Sequence, residues 1–151
     1  MRYLIGVGNC TASDDGIGPR VVELIAEQGL ERGFRAIDLS SDSLGLVSYL
    51  APDTEAILVV DSALMGLEPG DTRFFSPADV ETHKASAGFS THEGDILAVL
   101  ELARTVGYPM PPLAIMGIEP ATVEPGMELS PAIADRVAGY AAAAIERLLS
   151  L

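Results

Sequence analysis

Short aliphatic runs alternate along the chain with segments whose apolar residues recur at helical spacing. Arg2–Val7 is apolar and runs into Gly6-Val7-Gly8-Asn9, which predicts a buried strand ending in a tight turn. Arg20–Gln28 follows, with Val21, Val22, Leu24 and Ile25 on one face, Pro19 suited to the first turn and Gly29 as a stop. Phe34–Leu39 predicts a second strand. Polar Ser40–Ser43 caps a short helix over Leu44–Leu50, which ends at Pro52. Ala56–Val60 is an uninterrupted aliphatic run, the mark of a strand buried on both faces, and it closes at Asp61. Glu68-Pro69-Gly70-Asp71 reads as a turn, Thr72–Ser76 as an edge strand, and Pro77–Phe89 as an irregular loop. Ser90-Thr91-His92-Glu93 carries the hydroxyl-to-Glu spacing of a helix start, and Ile96, Leu97, Leu100 and Ala103 continue one face to Val106 and Gly107. Leu113–Ile118 predicts another buried strand, Glu119–Leu129 a loop, and Ala132–Leu149 a final Ala-rich helix capped by Ser130. Alternating strands and helices predict an α/β sandwich with a mostly parallel sheet.

The 151 residues suit one domain, 1–151, with no internal repeat or linker. Hydrophobic residues make up 48% of the chain, which excludes a disordered class. Lys plus Arg number 9 against 22 Asp plus Glu, a net charge of −13 that argues against nucleic-acid partners. A single Cys rules out an internal disulfide framework and a multi-Cys zinc site. The N-terminal apolar stretch is too short for a signal h-region, and no run approaches the ~20 residues that span a bilayer. These features lead us to expect a cytoplasmic protein without membrane insertion.

Several residues suggest chemistry, each with a plainer alternative. Gly6-x-Gly8 begins a dinucleotide fingerprint, but Thr11 stands where the third Gly belongs, and Asp14 and Asp15 would repel a diphosphate. Those two aspartates can complement a helix dipole or cap it. Alternatively, the bare glycines around them let one carboxylate face a crevice. Asp61, after a central strand, lies where open α/β sheets bind ligands, though an aspartate there also caps turns. His92 caps its helix or joins the site. If the three segments converge, Asp15, Asp61 and His92 make two carboxylates and one imidazole. Such a set suits a divalent ion such as Ni, Zn or Fe and leaves positions open. Cys10 is a buried filler or a reactive thiol, His83 is solvated, and Glu119 and Glu124 border the crevice. No nucleophile elbow surrounds any serine.

The ordered set Gly6-Val7-Gly8-Asn9, Asp14-Asp15-Gly16-Ile17-Gly18, the strand closing in Asp61, Ser90-Thr91-His92, Gly117-Ile118-Glu119-Pro120 and Gly126-x-x-Leu129-Ser130-Pro131 resembles the hydrogenase maturation endopeptidases. The resemblance spans nearly the whole chain. It implies a three-layer sandwich with a twisted sheet of about five strands. It implies an aspartic-type or metal-assisted endopeptidase that removes the C-terminal extension of a nickel-loaded [NiFe] hydrogenase large-subunit precursor. Asp15, Asp61 and His92 fall on the family's metal-recognising positions, with the nickel borne by the substrate and not held stably by the protease. The expected state is a monomer. Family members often carry an Asp-Gly-Gly-Thr-like block after the second strand, where this chain reads Ser40-Ser41-Asp42-Ser43. Asp42 is the candidate for that aspartate's place and so for a fourth catalytic residue. The alternatives are a non-proteolytic nickel-site sensor or chaperone of the same fold, and a small nucleotide-binding domain.

Overall fold

Strand β1 (Arg2–Val7) pairs in parallel with β2 (Arg35–Ser40) on one side and with β3 (Ala56–Leu64) on the other. The computed structural model describes residues 1–79, 90–91 and 95–151. Beyond β3 lies β6 (Leu113–Ile118), again parallel, and the edge is β4 (Thr72–Phe75), antiparallel to β6. The sheet order is therefore β2-β1-β3-β6-β4, with the two-residue β5 (Ser90–Thr91) paired antiparallel to the end of β3. The helices are α1 (Ile17–Glu27), α2 (Asp95–Val106), α3 (Pro131–Ala134) and α4 (Val137–Ser150).

Strand alternation sends successive side chains to opposite faces, and both faces are covered. Leu4, Leu58, Val60, Met116 and Ile118 pack with Ile17, Val21 and Ile25 of α1 and with Tyr140, Ala141, Ala144 and Leu148 of α4. Ile5, Val7, Ile57, Val59 and Ile115 pack on the other face with Leu46 and Leu50, from and just after the 3-10 helix Ser43–Tyr49, and with Ile96, Leu100 and Ala103 of α2. This is the expected three-layer sandwich. Burying each Leu or Ile in these layers contributes about 1.5–3 kcal/mol, so the two faces hold the sheet in place.

Close backbone approach brings the start of α1 to the carboxyl ends of the strands. A Cβ on Gly18 would collide with the carbonyl oxygens of Val60 and Val7. Only a glycine lets α1 lie this near β1 and β3. The 3-10 turn Ser13–Gly16, immediately before α1, is thereby pressed against the end of the sheet. Gly8, at φ 144°, turns the chain out of β1 beneath it, where a side chain would strike the carbonyl of Asp15.

Some boundaries shift by a residue, and others differ more from expectation. Helix α1 begins at Ile17, so Pro19 lies within its first turn as its fixed φ allows. Strand β3 does not stop at Asp61 but runs to Leu64, because β6 pairs with Asp61 and Ser62, and β5 with Ala63 and Leu64. Residues 77–79 are helical where a loop was expected. The Ser76 hydroxyl accepts from the Asp79 N–H, and the Asp79 carboxylate accepts from the Ser76 N–H, a reciprocal cap. The remainder of that expected loop lies outside the described residues. Ser90 and Thr91 form β5 instead of opening a helix, and α2 is described from Asp95 onward. The final helix is two, broken at Asp135 and Arg136. Ile133 before the break is buried in the core, and Tyr140 after it donates to the Gly70 carbonyl at 2.6 Å.

Candidate active site

The loop leaving β1 and the 3-10 turn before α1 present Asp15 toward the end of β3. Its Oδ2 accepts from the Asn9 N–H at 3.0 Å, and its Oδ1 accepts from the Ser62 hydroxyl at 2.6 Å. Asp15 is 4% exposed and Ser62 3%, so this contact is made out of water. Asp61 precedes Ser62 in β3 and is also buried. Alternation places Asp61 on the face of Ile57 and Val59, and Ser62 on the face of Leu58 and Val60. Asp15 and Asp61 are thus tied to the same strand end through adjacent residues. Both are buried, whereas an open crevice was the expectation for Asp15. Across the sheet, Asp61 pairs with Gly117. A side chain at Gly117 would press within 2.9 Å of the Met65 sulfur and 3.1 Å of the Ala63 Cβ, so the glycine makes room for Met65 and Ala63 to pack over the end of β6.

Asp14, the other half of the acidic pair, has a different task. Its Oδ2 accepts from the N–H groups of Ala121 (2.9 Å) and Thr122 (3.1 Å) and from the Ser130 hydroxyl (2.7 Å). Its Oδ1 accepts from the Ser130 N–H at 2.7 Å. Burial pushes this carboxyl upward, but the hydrogen bonds from Ser130, Thr122 and Ala121 outweigh it, and the pKa lies below the ordinary aspartate value. Ser130 therefore spends its hydroxyl on Asp14 and not on capping α3. Around this pin the two loops are laced together: Ser13 N–H donates to the Gly126 carbonyl, Gly126 N–H to Thr11, and the Ser13 hydroxyl to the Glu124 carbonyl.

Glu119 is a second buried anchor. Its Oε1 accepts from the N–H groups of Met65 (2.7 Å) and Leu67 (3.1 Å), fixing the chain that leaves β3. The sequence placed Glu119 only on a crevice rim. Its one signal was position: an acid directly after an all-buried strand finds backbone donors of the neighbouring crossover.

Asp42 lies at the carboxyl end of β2 and is exposed. Its side chain caps the 3-10 helix Ser43–Tyr49 by accepting from the Gly45 N–H. The Cys10 thiol is part-buried and its pKa is raised, first by burial and then by the negative charge of Asp38. A raised pKa disfavours the reactive thiolate. His92 and His83 lie outside the described residues. Thr91, the residue before His92, pairs with Ala63, two positions beyond Asp61. Among the described residues no three His, Cys, Asp or Glu side chains gather in a metal-holding group. Asp15 and Asp61 supply carboxylate oxygens, which favour a divalent ion.

The family described as hydrogenase maturation protease matches residues 19–147. The chain belongs to that family. As a hydrogenase maturation protease it is a hydrolase of peptide bonds, and Asp42, Asp61 and His92 fall within the matched span, while Asp15 lies just before it. The hydrogenase expression/formation protein HupD of Rhodobacter capsulatus is 29% identical over 147 residues, covering 96% of this chain and 70% of that relative. The HupM protein of Azotobacter chroococcum is 29% identical over 122 residues, and the match covers 80% of this chain but only 58% of that relative's length. The fold coincides with that of the hydrogenase maturating endopeptidase HybD from E. coli, at 22% identity and a TM-score of 0.78, covering 99% of this chain and 92% of that one. A second Escherichia coli endopeptidase, known from a solution structure, is 26% identical with a TM-score of 0.75, covering 99% and 91%.

Proposed function

We propose that this protease removes the C-terminal extension of a nickel-loaded [NiFe] hydrogenase large-subunit precursor, and that Asp15, Asp61 and His92 recognise the precursor's nickel. The observation that carries the reading is the seat of Asp15 on Ser62, the residue next to Asp61, which ties two oxygen-donor side chains to one strand end. Joined by an imidazole, they form a ligand set that leaves coordination positions for the precursor's own donors. Engaging nickel in this way holds the scissile peptide against the site, a proximity effect. A carboxylate then assists the attacking water, or the substrate's nickel polarises the carbonyl. Asp42, at the same end of the sheet, supplies a further carboxylate. The reaction belongs in the cytoplasm, with one copy of the chain acting on one precursor and holding no metal of its own between turnovers. No helix among the described residues is long and apolar enough to cross a membrane.

The test is incubation of the protease with nickel-loaded and nickel-free precursor, followed by mass spectrometry. Release of the C-terminal peptide from the loaded form alone is expected. Binding of the loaded precursor without release would identify a non-proteolytic sensor instead.

A further inference from the structure

We propose that Ser62 is a positioning residue, which sets the Asp15 carboxylate at a fixed place relative to Asp61 so that both engage one divalent ion. The inference rests on the reading of Asp15 and Asp61 as nickel-recognising residues and adds a role for a side chain that touches no substrate.

Ser62 is a polar residue in a strand whose other members, from Ala56 to Ala63, are aliphatic apart from Asp61. It is 3% exposed and faces the layer of Leu58, Val60 and α1, where a hydroxyl without a partner would be costly. Its hydroxyl reaches Asp15 Oδ1 at 2.6 Å, within the short range of an O–H donor bound to a carboxylate. The Asn9 N–H holds the other oxygen at 3.0 Å. These two donors, on different oxygens and from different elements, fix both the location of the carboxylate and its rotation about the Cβ–Cγ bond. Asn9 belongs to the loop that leaves β1. Ser62 alone of the two sits on the strand that also bears Asp61. The Ser62–Asp15 bond therefore ties the Asp15 carboxylate to the strand end that bears Asp61. A carboxylate has about four lone-pair directions, so anchoring and ligation are compatible on one group. Loss of such an outer partner typically lowers metal affinity or activity ~10–100-fold.

The test titrates nickel(II) alone into the full-length protein by calorimetry, and in parallel measures cleavage of the nickel-loaded precursor, with melting followed by circular dichroism. Ser62→Ala is expected to weaken nickel(II) binding and to lower kcat/KM by at least about tenfold. Ser62→Thr keeps the hydroxyl on a residue that suits a strand, and should restore both. In the Asp15→Asn background Ser62→Ala should add no further loss, because the carboxylate it orients is gone. Wild-type nickel(II) affinity and cleavage in Ser62→Ala, with Asp15→Asn impaired, would overturn the positioning role and leave the nickel reading standing. Equal loss in Ser62→Ala and Ser62→Thr would also overturn it. Wild-type behaviour of Asp15→Asn would overturn both readings together.

Discussion

Replacing Asp14 by Asn tests whether one buried carboxylate fastens the loop after β6 to the loop after β1. The aspartate satisfies four donors, the N–H groups of Ala121, Thr122 and Ser130 and the Ser130 hydroxyl. The amide has one acceptor oxygen. Turned to serve the three donors on Oδ2, it points its NH2 at the Ser130 N–H; turned the other way, it faces Ala121 and Thr122. Either orientation buries at least one donor without an acceptor, a cost of about 1–3 kcal/mol. The bonds that survive lose their charge assistance, which roughly halves them. Together these give about 3 kcal/mol, or a fall of about 6–12 °C in melting temperature for a chain of this length. The sign with pH is fixed by linkage. The native Asp14 pKa is depressed, so its contribution is present above the unfolded value of about 3.9 and is lost as pH falls through the lower native value. The stability gap between wild type and Asp14→Asn should therefore be full at pH 7 and narrow below about pH 4. Thermal melting at pH 7, with urea denaturation of both proteins across that pH range, is the assay. A variant that melts within about 2 °C of wild type at pH 7 would refute the pin, given the ~2–4 °C expected per kcal/mol. So would a gap that stays constant with pH.

Gly18→Ala should be among the most damaging small substitutions, since its Cβ enters backbone carbonyls that cannot move aside; a loss of about 3 kcal/mol or failure to accumulate folded protein is expected, read by urea denaturation. Asp42→Asn retains an effective cap on Gly45, so stability should stay within about 0.5 kcal/mol while cleavage of nickel-loaded precursor slows with the loss of the charge. Chelator should leave the melting temperature unchanged, because two apolar layers already complete the fold, whereas a structural metal would contribute directly to stability.

The parallel strands were legible because burial on both faces leaves an unbroken aliphatic signature: β1 and β6 have the bounds that Arg2–Val7 and Leu113–Ile118 display in the sequence. Where polar residues enter an element for reasons of long-range pairing, local pattern misleads. Asp61 and Ser62 resemble a strand end, but β6 and β5 provide the partners that carry β3 to Leu64. Ser90 and Thr91 resemble a helix cap, but they pair with that protruding end. The Ala-rich final segment resembles one helix, and nothing in its apolar spacing marks the break at Asp135 and Arg136. At the site, glycine spacing and strand position drew attention to Asp15 and Asp61. No local pattern distinguishes Asp14 from Asp15, because what separates them is partners 107 and 47 residues away, Ala121 for one and Ser62 for the other. Glu119 and Ser62 likewise owe their roles to distant partners, and position after a buried strand was the one clue to Glu119.

In the proposed mechanism Asp61 acts through its charge on the precursor's nickel. The most direct measurement compares Asp61→Asn with wild type on nickel-loaded precursor, with circular dichroism melting on both. The substitution keeps shape and hydrogen-bonding capacity but replaces a carboxylate with a poorer ligand for a divalent ion. The expected result is a folded variant that no longer releases the C-terminal peptide. Full cleavage by a folded Asp61→Asn protein would contradict it.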